Sequence, residues 1–269
     1  MSYDFDALLN VVSILRGENG CPWDKKQNPG SMKKYIAEEA YETIQAIDDN
    51  DSAELCEELG DLLFQVVFQA QMAKEAGLFD INDVADGICR KMIMRHPHIF
   101  GGENADDFRE AADGNTDAFL GKWEDNKKKE KGYDTQTEVL RAIPAALPAL
   151  MRAEKVLFKA ENAGLDMGEI DETFVSPKAL AEELASLEGE SGEAADEKIG
   201  CIMLKMANIS RKMQLNTEFS LTKATEKFIN KFEYIESSAE TNNIQLKVMS
   251  AGLKKSLWKP DGQSAADEK

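Results

Sequence analysis

The chain has 269 residues, of which 42% are hydrophobic and 30% charged, and this composition is typical of a globular protein that can bury one or two cores. The formal net charge of −18 disfavours nucleic-acid binding, which depends on neutralising phosphates with Lys and Arg. No segment approaches the roughly 20 consecutive apolar residues of a membrane helix, and the acidic N-terminus lacks the pattern of a signal peptide. We therefore expect a cytoplasmic protein that binds neither nucleic acid nor membrane.

The four cysteines, Cys21, Cys56, Cys89 and Cys201, are scattered and form no CxxC pair. This spacing suggests neither a disulfide framework nor a structural zinc site. It is consistent with cysteines that stay reduced.

Two helices are predicted before residue 50. Apolar residues at helical spacing predict the first helix from Phe5 to about Arg16, followed by a Gly- and Pro-containing loop over 18–24. Ser31 is the candidate N-cap of the second helix, which ends at residues 48–50.

Two more helices follow directly. Asp51, with Glu54 three residues on, predicts a capping box that opens a third helix lasting to Ala76. Asn82 is the candidate N-cap of a fourth helix that stops near His96. Because no strand pattern is present, the predicted fold is all-α.

Composition divides the chain into two helical units. The predicted parts are a catalytic unit over 1–110, a polar linker over 111–140, a second helical unit over 141–258 and a disordered tail over 259–269. The second unit resembles a degenerate repeat of the first, since residues 181–186 align with 37–42 and residues 197–204 align with 57–64. The apolar framework is kept while the acids change.

Four acids of the first unit form two helical pairs, Glu39 with Glu42 and Glu58 with Asp61. Across an antiparallel hairpin these pairs would gather four carboxylates, whose repulsion a hard divalent cation such as Mg²⁺ or Mn²⁺ would relieve. The alternative is an ordinary solvated helix face. Gly60 in mid-helix costs helix stability and therefore predicts close packing against it.

Lys91 and Arg95 lie four residues apart on the fourth helix and are candidates for binding phosphate oxygens. The alternative is an exposed basic pair at a helix C-terminus, where the macrodipole favours cations. His96 and His98 either ligate metal or belong to a helix-terminating loop. Trp23, in the Gly/Pro loop, either stacks on a base or anchors the loop and plugs the bundle.

Five blocks of this sequence resemble the MazG family of nucleoside triphosphate pyrophosphohydrolases. They are Gly20-Cys21-Pro22-Trp23-Asp24, Glu38-Glu39-x-x-Glu42, Glu58-x-x-Asp61 with its Leu-Leu-Phe continuation, Lys91-x-x-x-Arg95 and His96-Pro97-His98-Ile99-Phe100. The resemblance covers the whole chain in the tandem form of the family. It implies two tandem four-helix units that form a homodimer.

The resemblance also implies an activity, the Mg²⁺-dependent hydrolysis of NTPs or dNTPs to the monophosphate and pyrophosphate, which clears aberrant nucleotides. Glu39, Glu42, Glu58 and Asp61 would then ligate the metal. Glu38 would orient or deprotonate water, a role that the sequence does not separate from that of Glu39. Lys91 and Arg95 would hold the triphosphate.

The second unit departs from the family pattern at three of the four expected ligands. Ser186, Lys198 and Cys201 stand at the positions of Glu42, Glu58 and Asp61. We therefore expect the activity in the first unit, and the second to serve dimerisation or nucleotide binding without turnover. The residues for such binding would be Lys227 and Lys231, which align with Lys91 and Arg95, together with Trp258. A competing hypothesis is a nucleotide-sensing or partner-binding scaffold, against which the four retained acids argue.

Overall fold

The structure is a computed structural model, and it describes residues 3–101 and 131–258. In those residues every regular element is a helix, which confirms the predicted all-α class. The chain divides into two compact units, with the boundary between Asn126 and Lys127. No helix in the described ranges is both long and apolar enough to cross a membrane. All four cysteines are free thiols.

The described residues of the first unit form six helices. They are α1 (Phe5–Arg16), α2 (Pro22–Lys26), α3 (Lys33–Asp49), α4 (Ser52–Glu75), α5 (Ile81–Arg95) and α6 (Pro97–Phe100). Helices α3 and α4 form a long antiparallel hairpin, and Asn50 makes the turn in the left-handed conformation, with a φ of 56°. The core joins α1 to this hairpin through Val12, Met32, Val67, Phe68 and Met72.

The helices lie where hydrophobic spacing predicts them, but two predicted caps are wrong. Helix α3 has Met32 at its N-cap, while the Ser31 hydroxyl donates to Gln27 Oε1 at 2.7 Å. Helix α5 is capped by Asp80, not Asn82, because Asp80 and Asp83 form a reciprocal capping box. At the start of α5 the neighbouring Asp80 takes the cap position instead of Asn82, whereas Met32 at the start of α3 forms no side-chain cap hydrogen bond.

The loop predicted over 18–24 is helical in its last part, because α2 begins at Pro22. Proline suits a first helical position, where its missing N–H costs nothing. The inference from Gly60 is wrong within this chain, since a Cβ there would have no atom within 4 Å.

The second unit contains α7 (Gln136–Arg141), α8 (Ala149–Asn162), α9 (Met167–Ile170), a 3₁₀ turn (Glu172–Phe174), α10 (Pro177–Ala185), α11 (Glu193–Lys212), α12 (Thr217–Thr241) and α13 (Ala251–Leu257). Its described residues form two small cores. One contains Leu180, Ile202 and Ile209, and the other contains Ile235, Ala239 and Met249.

Most of the predicted linker over 111–140 and the whole tail over 259–269 lie outside the described residues. The end of the linker range is helical, as α7 begins at Gln136 and packs on α8.

Candidate metal centre

Three acids of the α3–α4 hairpin converge at one point. Glu39 on α3 and Glu58 and Asp61 on α4 each offer a carboxylate oxygen, and these oxygens lie within 4.8 Å of one another. Glu58 and Asp61 are one turn apart on the same face of α4, which faces the antiparallel α3. The predicted pairing of helical acids across a hairpin therefore places three of its four members together.

Gln65 is a fourth member of this site that the acidic motif does not reveal. Its side chain is 5% exposed, and its Nε2 donates to Glu39 Oε1 at 3.2 Å. It lies one helical turn after Asp61, and this spacing is the only trace of its role in the sequence. The amide holds one of the converging carboxylates in place.

The charges at the site repel one another. Partial burial raises the pKa of Glu39, the Gln65 hydrogen bond opposes that shift, and the charges of Asp61 and Glu42 add to it. Partial desolvation and the same two neighbours raise the pKa of Glu58. Carboxylates that resist ionisation for these reasons are those that a cation would stabilise.

Glu42 and Glu38, two further predicted site residues, lie at the edge of this group. Glu42 is exposed and is not among the three converging acids, although its charge acts on both Glu39 and Glu58. Glu38 is exposed and adjacent to Glu39 in α3.

The basic pair lies on α5, which packs against α4. Lys91 is half-buried and Arg95 is only 6% exposed. Arg95 is thus not the exposed cation that the helix-dipole alternative requires. His96 Nδ1 lies 2.7 Å from the Met92 carbonyl oxygen and His96 ends α5, which favours the helix-terminating alternative over metal ligation.

Trp23 is half exposed, and its ring packs edge-on against Tyr35 at 5.9 Å between centroids. It therefore lies at the surface and does not plug the bundle.

Helix α2, which carries Trp23 and Asp24, is held by Arg16, a second residue that motif reasoning missed. Arg16 Nη1 donates to the Asp24 carbonyl at 2.6 Å, while its other nitrogens make a bidentate ion pair with Glu75 at the end of α4. Its guanidinium also lies 5.2 Å from the centre of the Phe68 ring. Arg16 thus ties α2 to both α1 and α4.

The second unit contains a different arrangement at the matching place. Lys205 Nζ donates to both carboxylate oxygens of Glu183, at 2.8 and 2.6 Å, and lies 3.3 Å from Asp171 Oδ2. Burial alone would lower the pKa of Lys205, yet these two partners raise it above its usual value.

Around this ion pair lies a cleft of about 510 Å³ that Lys198 and Cys201 also line. Lys198 itself forms an ion pair with Glu190.

Comparison with known proteins decides the family. Residues 27–100 match the model of the MazG nucleotide pyrophosphohydrolase domain. The nucleoside triphosphate pyrophosphohydrolase of Escherichia coli (strain K12) is 36% identical over 265 residues, which cover 94% of this chain and 95% of that protein. The chain belongs to the MazG family. The match to the domain model ends at Phe100 and so lies within the first unit, the unit with the converging acids.

Two other relatives extend this similarity. A MazG nucleoside triphosphate pyrophosphohydrolase/pyrophosphatase of Thermotoga maritima is 35% identical over 90% of this chain and 89% of its own length. The uncharacterized protein YabN of Bacillus subtilis (strain 168) is 36% identical over 95% of this chain, which spans 51% of that protein. This MazG chain is therefore similar to its relatives over both units, and it is a member of a family of hydrolases that act on phosphoanhydrides.

Proposed function

We propose that this MazG protein is a Mg²⁺-dependent nucleoside triphosphate pyrophosphohydrolase whose catalytic site lies in the first unit. The observation that carries the proposal is the convergence of Glu39, Glu58 and Asp61 within 4.8 Å. The relatives from E. coli and T. maritima bear the name of this activity, which supplies the reaction class.

The donor set suits a hard divalent cation. It consists of carboxylate oxygens, and oxygen donors of this kind favour Mg²⁺ or Mn²⁺ over zinc. Glu39, Glu58 and Asp61 would hold the ion, with Glu42 beside them. When bound, such an ion supplies Lewis-acid stabilisation of the charge on the phosphate oxygens.

The reaction needs a base, a nucleophile and a leaving group. A water oxygen attacks the α-phosphorus, the bond from that phosphorus to the bridging oxygen breaks, and pyrophosphate leaves. Glu38 takes the water proton, and Glu39 is the alternative base. Lys91 and Arg95 bind the triphosphate oxygens and offset the charge that builds up as pyrophosphate departs. Trp23 contacts the nucleobase of the substrate.

We assign a second copy of the chain to the apolar surface of α4. Leu59, Leu63 and Val66 follow helical spacing there and are 50%, 41% and 42% exposed. On α5, Val84 and Ile88 are also exposed within the chain. Light scattering is expected to give the mass of a homodimer, and Leu63→Glu to give a monomer. A monomeric wild type at micromolar concentration would exclude this assembly.

A pyrophosphate-release assay with Mg²⁺ tests the activity. Glu58→Ala combined with Asp61→Ala is expected to abolish turnover, as is EDTA added to the wild type. Glu197→Gln, at an exposed position of α11 that aligns with Glu57, is the matched control and is expected to retain the wild-type rate. Equal rates in the wild type and the double variant would end the proposal, and rates at background level in both would favour the scaffold hypothesis.

The substrate class is a nucleoside triphosphate with ribose or deoxyribose, and the cellular role is clearance of aberrant nucleotides in the cytoplasm. A panel of normal and modified NTPs and dNTPs at constant Mg²⁺ tests this assignment. Higher kcat/KM for modified bases is expected. Equal values throughout would remove the clearance role but leave the reaction.

A further inference from the structure

Gln65 and Lys205 occupy matching places in the two units. Each follows its motif position by the same spacing, Gln65 four residues after Asp61 and Lys205 four after Cys201. Each reaches from its helix to the second glutamate of the facing helix. Gln65 Nε2 donates to Glu39 at 3.2 Å, and Lys205 Nζ donates to Glu183 at 2.8 and 2.6 Å.

We propose that Lys205 is a built-in cation that replaces the divalent metal in the second unit, and that the neutral Gln65 keeps the matching place in the first unit open to metal. This inference rests on the proposed metal site of the first unit. The residue at this one helical position, Gln65 or Lys205, then determines which unit binds a metal ion.

The charges support this assignment. At the four matching positions the formal charge changes from −3 in the first unit (Glu39, Glu58, Asp61, Gln65) to +1 in the second (Glu183, Lys198, Cys201, Lys205). Asp171 and Glu190, which pair with the two lysines, bring the second set to −1, so a divalent cation is attracted more strongly to the first set. The retained Glu183 is compensated by the Lys205 ammonium.

The hydrogen-bond and ion-pair partners of Lys205 and Gln65 also differ. The Lys205 ammonium has two carboxylate partners, Glu183 and Asp171, and lies 5.6 Å from the centre of the Phe174 ring. The buried Gln65 Oε1 has no hydrogen-bond partner in the part of the chain that the structure describes. In the first unit, Gln65 Oε1 and the converging carboxylates are therefore available to a cation. In the second unit, the carboxylates are already paired with the Lys205 ammonium.

The test counts Mn²⁺ bound to the full-length chain by electron paramagnetic resonance and measures thermal unfolding in EDTA. Gln65→Lys is expected to weaken Mn²⁺ binding by about 100-fold and to remove the rise in Tm that Mn²⁺ gives the wild type. Gln65→Met, which deletes the amide without adding charge, is the matched control. Its affinity for Mn²⁺ is expected to fall by about 10-fold or less.

The second unit is tested without metal. Lys205→Met leaves Glu183 and Asp171 without their cation and is expected to lower Tm in EDTA by about 5–10 °C. Adding Glu183→Gln removes one of the two uncompensated charges and is expected to restore part of that loss. Mn²⁺ is expected to leave the melting of the second unit unchanged in the wild type.

The outcomes separate this inference from the proposed function. Wild-type Mn²⁺ binding that Glu58→Ala abolishes but Gln65→Lys leaves intact would overturn the inference alone, as would Lys205→Met with wild-type stability in EDTA. Mn²⁺ binding that Glu58→Ala does not change would overturn the metal site and the inference together.

Discussion

The α3–α4 hairpin of the first unit and the α10–α11 pair of the second carry similar contacts with opposite electrostatics. In the first unit, carboxylates converge and the neutral amide of Gln65 donates a hydrogen bond to one of them, Glu39. In the second, the ammonium of Lys205 compensates Glu183 and Asp171. A helical framework can thus be kept while its charge is inverted, because packing depends on the apolar face and ion binding on a few polar positions.

A second contact shows the same inversion. At the C-terminus of α1, Arg16 pairs with Glu75 at the end of α4. At the C-terminus of α8, Glu161 pairs with Arg211 and Lys212 at the end of α11. Ion pairs therefore join α1 to α4 in the first unit and α8 to α11 in the second, with the acid and the base exchanged.

The largest expected effect comes from the matching glutamates. Glu39→Gln is expected to lower kcat by about 100- to 1000-fold, because it removes one of the converging charges without changing the shape of the side chain. Glu183→Gln is the matched change in the second unit and is expected to leave kcat near the wild-type value. Pyrophosphate release measures both. A loss of activity in Glu183→Gln alone would reverse the assignment of the two units.

The basic residues of α5 and α12 provide the next comparison. Lys91→Ala is expected to lower kcat/KM by about 10- to 100-fold, since it removes a charged hydrogen bond to the triphosphate. Lys227→Ala, at the aligned position, is expected to change it little. Steady-state kinetics with dNTP substrates test this comparison, and equal losses in the two variants would show that the second unit also takes part in substrate binding.

The ion pairs between helices are expected to have a moderate effect on stability. Arg16→Ala is expected to lower the free energy of unfolding by about 2 kcal/mol, because this buried side chain also satisfies the Asp24 and Gln27 carbonyls. Arg90→Ala breaks an exposed i,i+4 pair with Asp86 and is expected to have a much smaller effect, because solvent screens a pair of exposed side chains. Urea denaturation compares them, and equal losses would show that Arg16 is held no better than a surface side chain.

The smallest expected effect is a pH dependence of opposite sign in the two units, measured as Tm in EDTA. Because the folded-state pKa of Glu39 is raised, its charge destabilises the fold at neutral pH. Glu39→Gln is therefore expected to raise Tm at pH 7, and the gain is expected to disappear as the pH falls through the raised pKa to the ordinary glutamate value.

Glu161 is the counterpart in the second unit. Burial opposes its ionisation, but its hydrogen bonds to Lys212 and Arg211 lower its pKa overall. Its stabilising contribution is present above the ordinary glutamate pKa and is lost as the pH falls through the lowered value. Glu161→Gln is therefore expected to lower Tm at pH 7 and to have no effect in strong acid. A gain in Tm at pH 7 would contradict this sign.

Spacing in the sequence was sufficient to locate the long helices of the first unit and the acids that meet. Helical periodicity gave α1, α3, α4 and α5 close to their observed bounds, and the i,i+3 rule placed Glu58 beside Asp61. The caps were less predictable. Ser31 and Asn82 are good cap formers, but Asp80 caps α5 through a capping box and α3 begins after Met32 without a side-chain cap.

By itself, the sequence determined the helical class, the family and the pair of acidic motifs, because these depend on local periodicity and on short patterns of residue type. Only the tertiary structure decided which polar side chains complete the site. The contact of Gln65 with Glu39 spans 26 residues, and that of Lys205 with Glu183 spans 22. No local rule specifies such contacts, because they depend on how two helices pack against each other.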